Sequence, residues 1–445
     1  MMMETNKIID FVAVGIGPFN LGLACLTNPI EEVEGVFLDK RPGFNWHPGM
    51  LLQDTTLQIP FMADLVTLAD PTSPFSFLNY IKKQGRMYSF YIKEDFLLLR
   101  NEYNQYCQWV IQQLPNLFFN TEVTYVEYDT NDECYVVTSK CTQTEEIKVY
   151  KARKLVLGTG TQPHIPECCK NLKGKAIHSS SYLDHKDALQ SKKAITILGS
   201  GQSAAEIFYD LLQEIDTKEY QLNWITRSPR FFPLEYSKLT LEMTSPEYVD
   251  YFYNLPSEKR DHLIKNQKHL YKGINQNLIA DIYDLIYTKQ LTNKVNIQLR
   301  TNSELTAVQF NEAEEVFSLE LNQVEQGKQY GHQTETLVLA TGYTYHMPEF
   351  IKGISDQIRW DDKGRYDVHR NYSIDKSGED IFVQNVELHT HGFVTPDLGM
   401  ACYRNSFIIK EIMGKEYYPI EKRIAFQQFE VTEEEEILTE ASFIK

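Results

Sequence analysis

Nowhere in the 445 residues does an apolar run reach the roughly 18 that a membrane span needs. The N-terminus opens on Glu4, Thr5, Asn6 and Lys7 before a short apolar stretch, which is not the pattern of a leader peptide. Export and membrane insertion are therefore not expected, and the cytoplasm is the expected compartment. Cysteine is scarce and scattered: Cys25, Cys107, Cys134, Cys141, Cys168, Cys169 and Cys402 form an odd set with no C-x-x-C pair. That argues against a zinc knuckle and a disulfide framework and fits a reducing environment. Positive charge falls short as well, with 44 Lys and Arg against 61 Asp and Glu, a net of −17. Such a field repels nucleic-acid backbones and anionic lipid, leaving room only for a local basic pocket around one small phosphate. No repeat of solenoid period is visible.

What is present is an ordinary folding composition, 42% hydrophobic and 24% charged, in a chain long enough for two or three domains. Residues 8–15 form a short β-branched run ending in glycine, 20–26 has helical spacing, and 35–38 is a second apolar run closing on Asp39. This strand, turn, helix, strand grammar returns at 194–199, 201–212 and 221–226. Buried strands are expected again at 336–340 and 380–383. Between them, 245–290 lacks alternation and carries Tyr248, Tyr251, Phe252, Leu278, Ile279, Ile282, Leu285 and Ile286 at helical spacing, as expected of a helical insertion. The polar segment 162–193 is the expected hinge, and 432–440, with Glu433 to Glu436 in a row, a solvated end.

Gly15-Ile16-Gly17-Pro18-Phe19-Asn20 sits between the first strand and helix, where glycine lets backbone approach a pyrophosphate and the helix start offers free amides. Its third glycine position holds Asn20. Asp39, about twenty residues on, is placed to accept from a ribose hydroxyl. Gly199-Ser200-Gly201-Gln202-Ser203-Ala204 is a second such turn, followed not by an acid but by Thr226, Arg227 and Ser228. An arginine there pairs with a 2′-phosphate, so NADPH is expected in the second unit and FAD in the first. Ala340-Thr341-Gly342-Tyr343 is a small turn suited to crossing between the units. The fold class is thus α/β, two Rossmann-like dinucleotide-binding domains with a small helical substrate-binding insertion. The expected division is 1–172 for the first part of the FAD domain, 192–240 and 292–340 for NADPH, 241–291 for the helical region, and 341–445 for the rest.

Segments 10–26, 44–80, 100–109, 155–163, 198–210, 340–343 and 385–405 resemble the microbial N-hydroxylating flavoprotein monooxygenases of siderophore biosynthesis, the lysine and ornithine side-chain hydroxylases. The most specific elements are Asn45-Trp46-His47-Pro48-Gly49-Met50, Leu57-Gln58, the run from Asp64 to Pro74, and Thr390-His391-Gly392. The resemblance implies that Trp46 and His47 line the flavin and that Gln58 hydrogen-bonds near its reactive edge as the catalytic residue. Gln202, Ser203 and Arg227 would meet the nicotinamide nucleotide, and Leu398 would cover the flavin's far end. Lys40, Arg100, Val123, Thr341 and Gly342 fall among further cofactor positions. His389 and His391 would share a face if they lay on a strand, but no third ligand is indicated and the family uses no metal, so none is expected. Cys168 and Cys169 read as ordinary loop thiols.

Relatives that act on amino acids hold the substrate carboxylate with a lysine and asparagines, and this sequence departs there. Ala63 stands in place of the lysine, Leu241 and Leu270 in place of asparagines, and Gly399 where serine is frequent. A pocket without cation or amide cannot compensate a buried carboxylate. The departures point to an aliphatic diamine, putrescine or cadaverine, with O2 as co-substrate, and the pattern around Ala63 resembles the family's diamine branch. Asp64, Glu242 and Asp397 are candidate acceptors for the distal ammonium. Lysine or ornithine remains the alternative, with Lys238, Lys268 or Lys272 taking over the carboxylate. A non-catalytic flavin- or NADPH-binding regulator is a second alternative, and the missing C-x-x-C argues against a flavin disulfide reductase. A homo-oligomer, tetramer or dimer, is the family expectation.

Overall fold

The structure is a computed structural model that describes residues 3–172, 174–292, 295–432 and 434–437. The chain opens with β1 (Met3–Val14), α1 (Pro18–Thr27) and β2 (Gly35–Leu38), where β1 and β2 run parallel from Phe11 opposite Gly35 to Val14 opposite Leu38. Helix α2 (Arg100–Ile111) leads into β3 (Leu117–Phe118), β4 (Thr121–Asp129), β5 (Cys134–Cys141) and β6 (Ile147–Leu157). The sheet order is β3-β2-β1-β6-β5-β4, and the late strand Ile381–Val383 returns to pair parallel with β6. Both faces of its central strands are buried, as continuous apolar runs require. Phe11, Ala13 and Phe37 pack beneath α1 and α2, while Val12, Val14 and Leu155 pack on the opposite side with Ile354 and Ile374.

The second unit holds β7 (Ala194–Leu198), α3 (Gln202–Lys218) and β8 (Gln221–Ile225), followed by α4 (Pro246–Asn254), α5 (Ser257–Asn266), α6 (Gln276–Thr292) and β9 (Ile297–Arg300). A three-stranded antiparallel sheet spans residues 303–334, and Thr336–Leu339 then enters the parallel sheet beside β7. Helix α3 buries Ala204, Ala205, Ile207, Phe208, Leu211, Leu212 and Ile215, a stripe whose larger members contribute about 1.5–3 kcal/mol each.

The helical stretch divides between two cores. Leu278, Ile279 and Ile282 of α6 pack on the second sheet, whereas Tyr248 and Phe252 of α4 pack with Phe393 and Leu270. The segments 162–172 and 174–193, expected as a hinge, carry secondary structure of their own. Ile177–His178 joins the edge of the second sheet, and the helix Tyr182–Gln190 is held by buried Tyr182, whose hydroxyl donates to Asp210 at 2.5 Å. Of the acidic end, Glu433 and residues 438–445 lie outside the described residues. Glu435 accepts from the Thr432 amide at 3.0 Å. Among the described residues, no helix is long and apolar enough to cross a membrane.

The last helix, α7 (Ala401–Met413), ties the returning chain to α1. Arg404 and Glu387, 1% and 0% exposed, form an ion pair at 2.9 Å, with the guanidinium over the Phe19 ring and donating to the Thr395 carbonyl. Asn405 donates to the Phe19 carbonyl at 3.1 Å. Glu387→Ala leaves a buried cation alone, and the expected loss of stability is about 3–5 kcal/mol by chemical denaturation. Replacing both partners, Glu387→Leu with Arg404→Met, is expected to cost less than the single change.

Candidate functional site

The two glycine turns, one in each unit, divide their labour in the same way. Gly15 (φ +92°) and Gly199 (φ +148°) are pressed against backbone, so that a Cβ would meet the Gly158 carbonyl oxygen at 2.3 Å and the Ala340 carbonyl oxygen at 2.2 Å. At Gly17 and Gly201 a Cβ would meet nothing within 4 Å. Neither glycine caps its helix with a side chain, and helical bonding starts only at Leu21 N to Gly17 O and Ala204 N to Gly201 O. The first amides of α1 and α3 are therefore free of helical acceptors beside open space, which suits a phosphate-bearing ligand at each.

A polar chain joins the units beside these turns. Thr56–Pro60 pairs with Leu97–Leu99 in a two-stranded ribbon that carries Gln58 and delivers Arg100 to the start of α2. Across from it, Gln202 and Glu206 lie one turn apart on α3. Both oxygens of Glu206 receive Arg100 at 2.7 Å, and its Oε1 also accepts from Gln202 Nε2 at 2.8 Å. Gln202 Oε1 accepts from the Asn275 amide at 2.8 Å and from Gln58 Nε2 at 3.3 Å. Burial pushes the Glu206 carboxyl above the ordinary range, with Arg100 and Gln202 pulling against it. Sequence reasoning missed Glu206, although its signal was there: a carboxylate on the buried face of an amphipathic helix.

The loop from Trp46 to Met50 crosses from one unit to the other. The Trp46 amide donates to Asn104 Oδ1 at 2.9 Å, and Met50 is buried in the second unit's core. His47 takes a left-handed conformation (φ 50°), with its ring 5.0 Å from Trp46 and 5.6 Å from Tyr343. It is open to the cleft yet crowded by protein, and desolvation, with Arg100 and Arg41 nearby, pushes its pKa down to about 4. Leu398 packs on the same cluster as Trp46. Gly342 (φ +83°) accepts from His178 and from the His164 amide, and Thr341 donates to the His164 carbonyl.

Other expected site residues are engaged elsewhere. Asp39 accepts from the Ile16 amide at 2.7 Å and from Arg41, whose guanidinium also reaches the Ile16 carbonyl. Burial raises the Asp39 carboxyl, but Arg41 and these amides bring it below the usual aspartate value. Arg41 had no signal in the motif. Asn20 is buried and spans the first unit, donating to the Gly15 carbonyl at 2.7 Å and accepting from Gln384 at 2.6 Å. The Val123 side chain lies in the core, leaving only its backbone for contact, and Lys40 is exposed near Glu122. His389 and His391 lie on the short helix Leu388–His391 instead of a strand, bonded respectively to the Tyr366 and Arg370 carbonyls.

Arg227 is exposed, with Glu304 at 3.8 Å. Burial first, then the charges of Lys268 and Arg227, lower the Lys272 pKa, so these three cations lie near one another in the second unit. Of the acidic candidates, Asp64 is saturated by the Val66, Thr67 and Phe77 amides and the Thr67 hydroxyl. Glu242 is taken by the Phe426 and Gln427 amides and the Gln427 side chain. Among the described residues Asp397 accepts only from the Gly399 amide, at 2.8 Å, and burial raises its carboxyl. Ala63 is buried, while Leu241, Leu270 and Gly399 are half-buried. A cavity of about 580 Å³ is lined by Gln58, Tyr236, His269 and Asn275. A hollow of about 590 Å³ over the three-stranded sheet touches neither turn.

A family model described as L-lysine 6-monooxygenase/L-ornithine 5-monooxygenase matches residues 7–345. The chain is 56% identical over 424 residues to a putrescine N-hydroxylase of Shewanella oneidensis, covering 95% of this chain and 84% of that one. It is similar to a crystal structure of DfoA bound to FAD, the cadaverine monooxygenase of the desferrioxamine pathway of Erwinia amylovora. That likeness has a TM-score of 0.94 at 59% identity, over 96% of this chain and 99% of that one. To an L-lysine N6-monooxygenase of Escherichia coli identity falls to 31%, over 93% of this chain and 97% of the other.

The turns separate folding from ligand space. Gly15→Ala and Gly199→Ala are expected to lower the melting temperature by several degrees, whereas Gly17→Ala and Gly201→Ala leave the ligand-free protein within about one degree. For His47, a folded pKa near 4 lies below the ordinary 6.5. The folded state therefore favours the neutral imidazole, and the stability this contributes above pH 6.5 is lost as pH falls through 4. The stability advantage of wild type over His47→Asn, compared by thermal melts at pH 7.5, 5 and 4, is expected to shrink towards acid.

Proposed function

The chain belongs to the L-lysine 6-monooxygenase/L-ornithine 5-monooxygenase family, and on that premise we propose that it N-hydroxylates one primary amine of an aliphatic diamine, putrescine or cadaverine. FAD, NADPH and O2 take part, and the N-hydroxydiamine enters hydroxamate siderophore synthesis. The observation that carries the reading is the pair of uncapped glycine turns, one opening a helix in each unit, within a chain more than half identical to two diamine hydroxylases. We further infer a cytoplasmic homo-oligomer, in keeping with the exposed aromatic and apolar side chains of Tyr88, Tyr91, Ile92 and Phe96.

On this reading Gly15, Gly17, Pro18 and Phe19 form the cradle for the FAD pyrophosphate, with Trp46, His47 and Leu398 beside the ring system. Gly199, Gly201, Gln202 and Ser203 do the same for NADPH. Arg227, with Lys268 and Lys272, supplies the positive field for a 2′-phosphate, which leaves Lys238 as the least committed cation for a substrate carboxylate. When bound, the reduced flavin supplies the oxygen-activating chemistry. The protein's part is to exclude water and to present the amine without its proton. An alkylammonium has a pKa of about 10.4, so deprotonation near pH 8 costs on the order of 3 kcal/mol. Of the candidate carboxylates for the distal ammonium, Asp397 alone keeps an oxygen without a protein partner among the described residues.

Product analysis with putrescine, cadaverine, lysine and ornithine side by side tests the proposal. A diamine is expected to exceed either amino acid in kcat/KM by at least about tenfold, and Asp397→Asn to lower the diamine value by about ten- to a hundredfold. Clear preference for lysine or ornithine overturns the substrate reading. Ala63→Lys with Leu241→Asn is expected to weaken diamine use.

A further inference from the structure

We infer that Glu206 is a positioning residue that, paired with Arg100, fixes the amide of Gln202 and through it the amide of Gln58, so that Gln58 turns its carbonyl oxygen to the cleft. The argument is one of donors and acceptors. A carboxylate that receives a guanidinium on both oxygens, at 2.7 Å each, is acceptor only. Gln202 can approach it only with its NH2, as it does at 2.8 Å. Its Oε1 then faces the other way, where the Asn275 backbone amide, a donor only, meets it at 2.8 Å and enforces the same orientation. The remaining approach to Gln202 Oε1 is open only to a donor, and Gln58 fills it with Nε2 at 3.3 Å.

Two side-chain amides that could each flip in isolation are thus left with one orientation. Gln58 Oε1 has no protein partner among the described residues, so a group that lies against that side of Gln58 meets an acceptor, suited to an N–H donor. The inference rests on the proposed N-hydroxylase only for what the cleft receives; the orientation itself follows from the network.

The test is a double-mutant cycle in the FAD-loaded enzyme, read by melting temperature and by NADP⁺ dissociation constant. Gln58→Glu cannot donate and sets oxygen against Gln202 Oε1, which Glu206 prevents from turning. A loss of several degrees is expected in the wild-type background and a smaller one in a Glu206→Gln background, where only the Asn275 amide still orients Gln202. Glu206→Gln alone is expected to weaken NADP⁺ binding by about tenfold, because Gln202 loses the charged one of the two groups that fix it. If the two losses simply add and NADP⁺ affinity is unchanged, Glu206 is an interior ion pair and the inference falls. Should Glu206→Gln not fold, Arg100→Met with Glu206→Met removes both charges without leaving an orphan and takes its place in the cycle. The substrate comparison uses the wild-type enzyme, so a wrong substrate shows there without disturbing this cycle, and an additive cycle leaves the substrate ranking intact.

Discussion

A guanidinium laid on both oxygens of a carboxylate, Arg100 on Glu206, holds one nucleotide unit against the other. Its partners come from elements that differ in every other respect, the ribbon and α2 start of the first unit and the buried face of α3 in the second. At 14% and 2% exposure the pair is largely removed from solvent, and such a pair adds little net stability because desolvation offsets its attraction. What it supplies is geometry. The ribbon that carries Arg100 also carries Gln58, and the helix turn that carries Glu206 also carries Gln202, so the pair fixes the distance across which the cleft is defined.

Charge elsewhere in the molecule is distributed to the same end. A chain of net −17 would repel a dinucleotide phosphate, yet the second unit gathers Arg227, Lys268 and Lys272 near one another. The acids are meanwhile used up as backbone acceptors: Asp64 organises the turn at residues 64–67 and the start of the helix Phe77–Lys83, Glu242 pins the C-terminal strand of chain at 426–427, and Asp39 is bound to Arg41. Asp397 escapes this because its own loop offers it one amide.

Much of this was legible in the sequence, and the remainder was not for identifiable reasons. The strands at 35–38 and 194–198, both glycine turns and the helical character of 245–290 follow from local periodicity and φ preference, which a window of ten residues contains. The partners of Asp39 and Asn20 do not, because each is set by the fold: the Ile16 amide meets Asp39 from 23 residues away, and Gln384 reaches Asn20 from 364. Segment 162–193 looked like a hinge from its polarity, but one buried tyrosine, Tyr182, and a two-residue edge strand build it into the second unit. The histidines at 389 and 391 would share a face in a strand, and helical geometry separates them.

The proposed substrate sharpens what the cleft must do. A diamine arrives with two ammonium groups, one of which has to lose its proton before it can react while the other can keep its charge. A site uniformly hostile to charge would reject the molecule, and a uniformly acidic one would hold both protons in place. On the proposed reading the surroundings are unequal: a carboxylate at Asp397 with one backbone amide on it, apolar Leu241 and Leu270 where a carboxylate-binding pocket would carry amides, and an uncharged carbonyl acceptor at Gln58. A neutral acceptor can take a hydrogen bond from an unprotonated amine without the Coulombic gain that would favour the ammonium. On that reading the difference in field between the two ends both selects a diamine over an amino acid and decides which of its nitrogens gives up the proton.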